Sequence, residues 1–173
     1  FELCYSDIPN ILNQSLHNTI PASESVKFTL AKSNLAIAQY YHKINNLDSV
    51  LCYLNKAKTL LSSAGRIESQ AYENLNHQLA IYYQNTGNEN LYEEYIEKAR
   101  SMVERKLGKQ HPEYANILRT KGNYYRRMGR FNLAELEFRD ATEIYLNAEP
   151  QNSIYYISTI KNLGSLFNAI GNR

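Results

Sequence analysis

The chain has 173 residues, of which 43% are hydrophobic and 21% are charged, a balance typical of a folded protein and not of a disordered tail. Its formal net charge is only +2, which argues against nucleic acid and against an anionic membrane surface as partners. The sequence also lacks a run of about 20 apolar residues, the length that a membrane-spanning helix needs. These properties do not determine the compartment, and of the possible compartments we favour the cytoplasm.

The 7 glycines and 4 prolines separate long stretches rich in Leu, Ala, Glu, Lys, Asn and Tyr, which predicts an all-α protein of about eight helices. A leading helix within residues 1–22 comes first, followed by three helix pairs and a single last helix. The pairs are predicted at 24–44 with 47–62, 67–86 with 89–106, and 112–128 with 131–147, and the last helix at 152–170. We expect one domain, with full repeats at 23–64, 65–106 and 107–148 and a half repeat at 149–173.

Small residues recur every 42 positions in the first helix of each pair, at Ala38, Ala80, Gly122 and Gly164. An aromatic residue follows each of them three positions later, at Tyr41, Tyr83, Tyr125 and Phe167. Four positions further on, a residue suited to a tight turn stands at Asn45, Gly87, Gly129 and Gly171. This period predicts repeated helix–turn–helix units that stack on their neighbours.

The repeated positions also predict how each unit packs. The small residue allows two helix backbones to approach closely, and the turn residue supplies the positive φ that ends the first helix. One position before the small residue, the apolar column of Ile37, Leu79 and Leu163 is interrupted by Lys121. On the second helix of the third pair we expect a buried stripe, made of Leu133, Leu136, Phe138, Ala141 and Tyr145.

The fourth unit has a first helix but no second helix. In the repeat register Arg173 matches Phe131, so we expect the sequence to be part of a longer array. The face that holds Leu163, Gly164, Phe167 and Ile170 would then lack a cover. We expect self-association through this end, or a loosely held last helix.

The residues that usually carry chemistry form no recognisable site. Cys4 and Cys52 show no metal-ligand spacing and are expected to be thiols and not a disulfide, and the four histidines make no metal-binding motif. No nucleophile elbow and no glycine-rich phosphate loop is present. The 15 tyrosines are best explained by packing positions in the repeat. We therefore predict no catalytic residue, no metal, no cofactor and no enzymatic activity.

The spacing of Gly122, Tyr125, Gly129, Phe131, Ala134, Phe138 and Ala141 resembles the tetratricopeptide signature. The 42-residue period is similar to the repeats of kinesin light chains, and residues 107–115 and 124–131 resemble repeats of bacterial proteins that carry a CHAT protease domain. The resemblance implies a right-handed α-solenoid of antiparallel helix pairs. It also implies a scaffold for protein–protein interaction.

In the family that the chain resembles, the first helix of each pair lines a concave groove that binds a peptide or a partner domain. The matching residues here are Asn74, His77, Gln78, Asn116, Arg119, Asn123, Lys161 and Asn162. Amides can bond to an extended backbone, and Arg119 and Lys161 favour an acidic partner. Solvated helix faces would look the same, and two further alternatives are a structural spacer and a regulatory segment of a larger enzyme such as a CHAT-type protease.

Overall fold

The computed structural model describes residues 23–148 and 153–171, and in these residues the fold is entirely α-helical. Its helices are α1 (Glu24–Lys43), α2 (Leu47–Ser63), α3 (Gln70–Thr86), α4 (Glu89–Leu107), α5 (Pro112–Arg127), α6 (Phe131–Ala148) and α7 (Ile154–Gly171). The prediction of three helix pairs and a last single helix is therefore confirmed. The predicted leading helix, within residues 1–22, lies outside the described residues, and the predicted repeat boundaries stay a prediction.

The turns inside the three pairs share one backbone geometry. The turn residues Asn45, Gly87 and Gly129 have φ values of 57°, 76° and 70°, as the sequence predicts. The N–H of the residue after each of them donates to the carbonyl oxygen of the repeat tyrosine, at Tyr41, Tyr83 and Tyr125, over 3.0, 3.0 and 2.9 Å. These bonds satisfy carbonyl groups at the end of the first helix, so the three first helices end within one residue of the same place in the repeat.

The start of α3 differs from the sequence prediction by three residues. The hydroxyl oxygen of Ser69 accepts a hydrogen bond from the N–H of Tyr72 over 3.3 Å and donates to the carbonyl oxygen of Arg66 over 2.6 Å. A serine in this place satisfies one of the free N–H groups of the first turn. The helix therefore begins at Gln70 and not at residue 67.

Helix α5 begins with an unusual cap. Atom Nδ1 of His111 accepts a hydrogen bond from the N–H of Glu113 over 3.1 Å, and Pro112 occupies the first helical position, where its missing N–H is harmless.

We expect the substitution His111→Ala to lower the free energy of unfolding by about 1 kcal/mol, because the N–H of Glu113 then loses its acceptor. His111→Asn should retain most of the stability, since an Asn oxygen can accept the same bond. Urea denaturation of the three proteins checks this expectation. Equal stability of the Ala and Asn variants would show that the cap does not matter.

The chain divides into two compact units, one that ends at Tyr82 and one that begins at Tyr83, and each is described here by itself. In the first unit, α1 packs against α2. Buried residues of α1 are Ala31, Leu35 and Ala38, and those of α2 are Val50, Leu54, Ala57 and Leu61. Their spacing of three and four residues gives each helix one apolar face, and the two faces form the core of this pair.

The second unit holds the end of α3 and helices α4 to α7. Helix α5 packs against α4, α6 and α7, and α6 also packs against α7. A core cluster of Ala134, Phe138 and Leu166 joins α6 to α7. Gly122 lies directly against this cluster, because a Cβ atom added at Gly122 would stand 2.6 Å from two carbon atoms of the Phe138 ring. The expected close approach of two helices is confirmed at this glycine.

Two packing expectations for the second unit are wrong. Leu133 and Leu136 are 44% and 57% exposed, and the buried residues of α6 are Ala134, Phe138, Ala141, Ile144 and Tyr145. The buried positions follow steps of three and four residues from Ala134, and this stripe leaves Leu133 and Leu136 to one side. At Gly164 an added Cβ would meet no atom within 4 Å, so this glycine makes no close helix contact in the described residues.

One side-chain expectation in the first unit is also wrong. Cys52 is disulfide-bonded, whereas the sequence favoured a thiol, and Cys4 lies outside the described residues. Among the helices of residues 23–148 and 153–171, none is both long and apolar enough to cross a membrane.

Candidate partner-binding surface

Charge is unevenly distributed among the helices of the second unit. Helix α5 carries four cationic residues, Arg119, Lys121, Arg126 and Arg127, against Glu113 alone. The single charged residue of α7 is Lys161. Helix α6 has the opposite balance, with Arg139 set against Glu135, Glu137, Asp140 and Glu143. The first helices of the repeats in this unit are therefore basic, and the second helix α6 is acidic.

The predicted residues of α5 lie on one side of the helix. Asn116, Arg119 and Asn123 are spaced by three and four residues, and all three are half-buried. Atom Nη2 of Arg119 donates to Oδ1 of Asn116 over 2.7 Å. Because this bond occupies the amide oxygen, the NH₂ group of Asn116 is left to donate to an acceptor outside the helix.

The predicted residues of α3 belong to the first unit and show the same arrangement. Atom Nε2 of Gln78 donates to Oδ1 of Asn74 over 2.9 Å. Asn74 is exposed, His77 is half-buried and Gln78 is buried. Asn74 and Asn116 match in the 42-residue register, so both units repeat one amide orientation.

The predicted residues of α7 are Lys161, which is exposed, and Asn162, which is half-buried. Helices α5 and α7 contact each other, so the second unit carries five of the eight predicted residues on two neighbouring first helices. Of these five, Asn116 and Arg119 are joined by a direct hydrogen bond.

Two arginines near the end of α5, Arg126 and Arg127, were not among the predicted residues. Atom Nη1 of Arg127 donates to Oδ1 of Asn85 over 2.9 Å, and the two residues are 42 positions apart. This bond joins the end of α3 to α5 at matching places in the repeat. Atom Nε of Arg126 is buried and has no hydrogen-bond partner among the residues that the structure describes, and the same is true of Nε of Arg119. The signal was present in the sequence, because Arg126 follows Arg119 by seven residues and so lies on the same side of the helix.

A metal site finds no support in the described part of the chain. No group of three or more His, Cys, Asp or Glu residues that could hold a metal ion occurs in 23–148 or 153–171. What the surface offers is a set of amide and cationic hydrogen-bond donors on the first helices. Such a set can bind carboxylate and carbonyl oxygens.

Comparison with known proteins agrees with this fold. A family model described as tetratricopeptide repeat matches residues 72–147. A search of curated protein sequences finds no match. The crystal structure of BtubC (BKLC) from P. vanneervenii is similar, with a TM-score of 0.75 and 18% identity over 95% of this chain and 66% of that one.

A second similar structure comes from Podosopora anserina and is described as a kinesin light chain with nearly identical TPR-like repeats. Its TM-score is 0.67 at 17% identity, over 81% of this chain and 66% of that one. The chain thus spans 66% of the length of both solved relatives. At these identities the likeness concerns the fold alone.

These findings confirm the resemblance on which the sequence analysis relied. The likeness to repeats of CHAT-associated proteins is not tested by them and stays a prediction. Residues 72–147 thus match the tetratricopeptide-repeat family, and the helix pairs of the described residues share the architecture of the two solved structures, one of which is described as having TPR-like repeats.

Proposed function

We propose that this chain is a non-catalytic scaffold that binds an acidic polypeptide on the first helices of its repeats. Tetratricopeptide repeats generally mediate protein–protein interaction, and helical repeats of this type are typically non-catalytic. The observation that carries the finer proposal is the bonded pair Asn116 and Arg119, which presents amide and guanidinium donors together on the basic helix α5.

The chemistry of the surface favours a partner that supplies acceptors. The free NH₂ group of Asn116 suits a backbone carbonyl of an extended peptide, and Arg119 and Lys161 suit carboxylates. Arg126 adds a further cation on the same side of α5 as Arg119. Asn74, His77 and Gln78 of the first unit are proposed as a separate contact set, and Asn123 and Asn162 as additional polar contacts of the second unit.

Fluorescence anisotropy with labelled peptides tests the proposal. The probe is an extended peptide that contains Glu and Asp among apolar residues, and the controls carry Gln and Asn, or Lys, in place of the acids. We expect binding of the acidic peptide only, and weaker binding as the salt concentration rises. Equal binding of the neutral peptide would contradict the acidic preference. Absence of binding by all three peptides would favour the spacer or the regulatory segment.

We also propose that a second copy of this chain packs against the outer face of α7. Two observations support it. Phe167 and Ile170 are 45% and 40% exposed. A Cβ atom added at Gly164, which precedes both residues on the same helix, would meet no atom of the described residues within 4 Å. The exposed residues of this face, Ile160, Gly164, Phe167 and Ile170, carry no charge, whereas Leu163 packs against the core cluster and the guanidinium of Arg139 lies over the ring of Phe167, 6.0 Å from its centroid. A glycine at the centre allows two helices to approach closely.

Gly164→Arg separates this contact from the stability of the protein itself. Because an added Cβ meets no atom of residues 23–148 or 153–171 within 4 Å, the substitution should not disturb the single chain, and replacing a helical glycine should raise its stability by up to about 1 kcal/mol. The arginine would nevertheless block a close helix contact between copies. We expect sedimentation velocity to show fewer dimers while the melting temperature stays the same or rises. A monomeric wild-type protein at high concentration would refute the proposed contact.

A further inference from the structure

The inner contacts of the third helix pair differ in kind from those of the first two. In the first pair the rings of Tyr41 and Tyr53 stack with centroids 5.5 Å apart and an angle of 10°. In the second pair Tyr83 and Tyr95 stack in the same way, at 5.6 Å and 13°. The residue of α6 that matches Tyr53 and Tyr95 in the 42-residue register is Glu137, so a carboxylate replaces a ring in the third pair.

A lysine compensates this carboxylate. Atom Nζ of Lys121 lies 3.3 Å from Oε1 of Glu137 on α6 and 3.3 Å from Oε1 of Glu97 on α4. The side chains of Lys121 and Glu137 are each only 15% exposed. Lys121 is also the residue that interrupts the apolar column, where the other units have Ile37, Leu79 and Leu163. We call Glu97, Lys121 and Glu137 the charge bridge.

Burial disfavours the charged forms of both Glu137 and Lys121 in the charge bridge. Burial raises the pKa of Glu137 above its ordinary value, and attraction to Lys121 opposes this only in part, with the charges of Asp140 and Glu97 acting to raise it further. Burial acts to lower the pKa of Lys121, but the charges of Glu137 and Glu97 outweigh it and raise the pKa. A buried ion pair of this kind adds little net stability, whereas removal of one partner leaves an uncompensated charge.

Apart from Gly122, which receives the ring of Phe138 where the other pairs have Ala38 and Ala80, the first-helix positions that receive the second helices are similar in this chain. If α6 docked on a first helix of another repeat, Glu137 would face the apolar column at Leu79 or Ile37 and would have no cation beside it. If α4 docked on α5 in place of α6, the ring of Tyr95 would replace the carboxylate that Lys121 pairs with. Misassembly between similar repeats is a characteristic failure of repeat proteins.

We infer that the charge bridge is a pairing determinant, which directs α6 to α5 and disfavours its docking on the equivalent helices of other repeats. The inference rests on the geometry of Glu97, Lys121 and Glu137 and is independent of any binding function. Buried polar groups that fix register are the best attested use of such pairs.

The test compares variants of the full chain that remove one or both charges of the third pair. Lys121→Leu leaves Glu137 buried without a cation, and we expect the melting temperature to fall by about 10 °C. The double variant Lys121→Leu with Glu137→Tyr restores the pattern of the chain's own first two pairs. Its melting temperature should match or exceed that of the wild type. After rapid refolding from urea, however, it should leave about twofold more chains that fail to regain the native calorimetric transition.

The control removes an ion pair of the same helix that is less buried than the pair of Lys121 and Glu137. Glu135→Gln with Arg139→Gln deletes the pair between Arg139 and Glu135, in which Arg139 is 62% exposed, and should change neither the melting temperature nor the refolding yield. A double variant of the third pair that refolds with the wild-type yield would overturn the inference, as would an unchanged melting temperature of Lys121→Leu. If the double variant with Leu and Tyr does not fold, the double variant Lys121→Met with Glu137→Gln replaces it. Its melting temperature and its refolding yield are then compared with those of the wild type in the same way.

Discussion

Replacing Gly122 with Leu is expected to lower the free energy of unfolding by about 1–3 kcal/mol, because the new side chain overpacks the contact inside the third pair. Even the first added atom, a Cβ, would stand 2.6 Å from the ring of Phe138, which is fully buried and has little room to move. Chemical denaturation monitored by circular dichroism measures the change.

Two matched substitutions isolate this effect from the general consequences of adding a leucine. Gly164→Leu places the same side chain at the equivalent position of α7, where no atom lies within 4 Å of an added Cβ, and should not destabilise the chain. Asn123→Leu changes the neighbouring half-buried position of α5 and should have a mild effect. Equal losses at Gly122 and Asn123 would show that the faces of α5 are wrongly assigned.

Reversing the charges of Arg119 and Lys161 together should abolish binding of the acidic peptide. Two glutamates in these places would repel the carboxylates that the cations attract, and we expect the affinity to fall by about 100-fold or more. The far-ultraviolet circular dichroism of the double variant should match the wild type. Anisotropy titrations at low and high salt measure the affinity, since an electrostatic contact weakens as salt screens it.

A charge-matched control distinguishes a defined surface from a general effect of net charge. Lys98→Glu with Arg139→Glu makes the same change in net charge on the second helices α4 and α6, at side chains that are 51% and 62% exposed. This variant should still bind the acidic peptide. An equal loss of binding in the control would show that the peptide is attracted by net charge alone. Unchanged affinity after reversal of Arg119 and Lys161 would show that these two residues do not form the binding site.

The candidate surface could be predicted only in part. The register that relates Asn74 to Asn116, and His77 to Arg119, was available from the period alone. The amide orientation of Asn116 was not, because it depends on the hydrogen bond from Arg119. The seven-residue spacing already placed Arg126 on the same side of α5 as Arg119, but the burial of its Nε atom was visible only in the structure.

The sequence by itself determined the order of the helices, their pairing and their turns. These features depend on local chemistry: apolar residues at helical spacing give each helix one buried face, and Asn45, Gly87 and Gly129 allow the positive φ at which a first helix ends. The same local pattern recurs every 42 residues, so the helix and turn positions predicted in one unit can be checked against those of the others.

Only the tertiary structure decided which similar positions behave differently. Gly122 and Gly164 occupy the same place in the repeat, yet Phe138 packs against the first, whereas in the described residues no atom lies within 4 Å of a Cβ added at the second. Leu136 fits an apolar pattern and is exposed, whereas Lys121 breaks one and is largely buried between Glu97 and Glu137. The reason is that burial and charge pairing depend on helices that are distant in the sequence. The residue pattern of one helix does not specify which residues of the other helices pack against it.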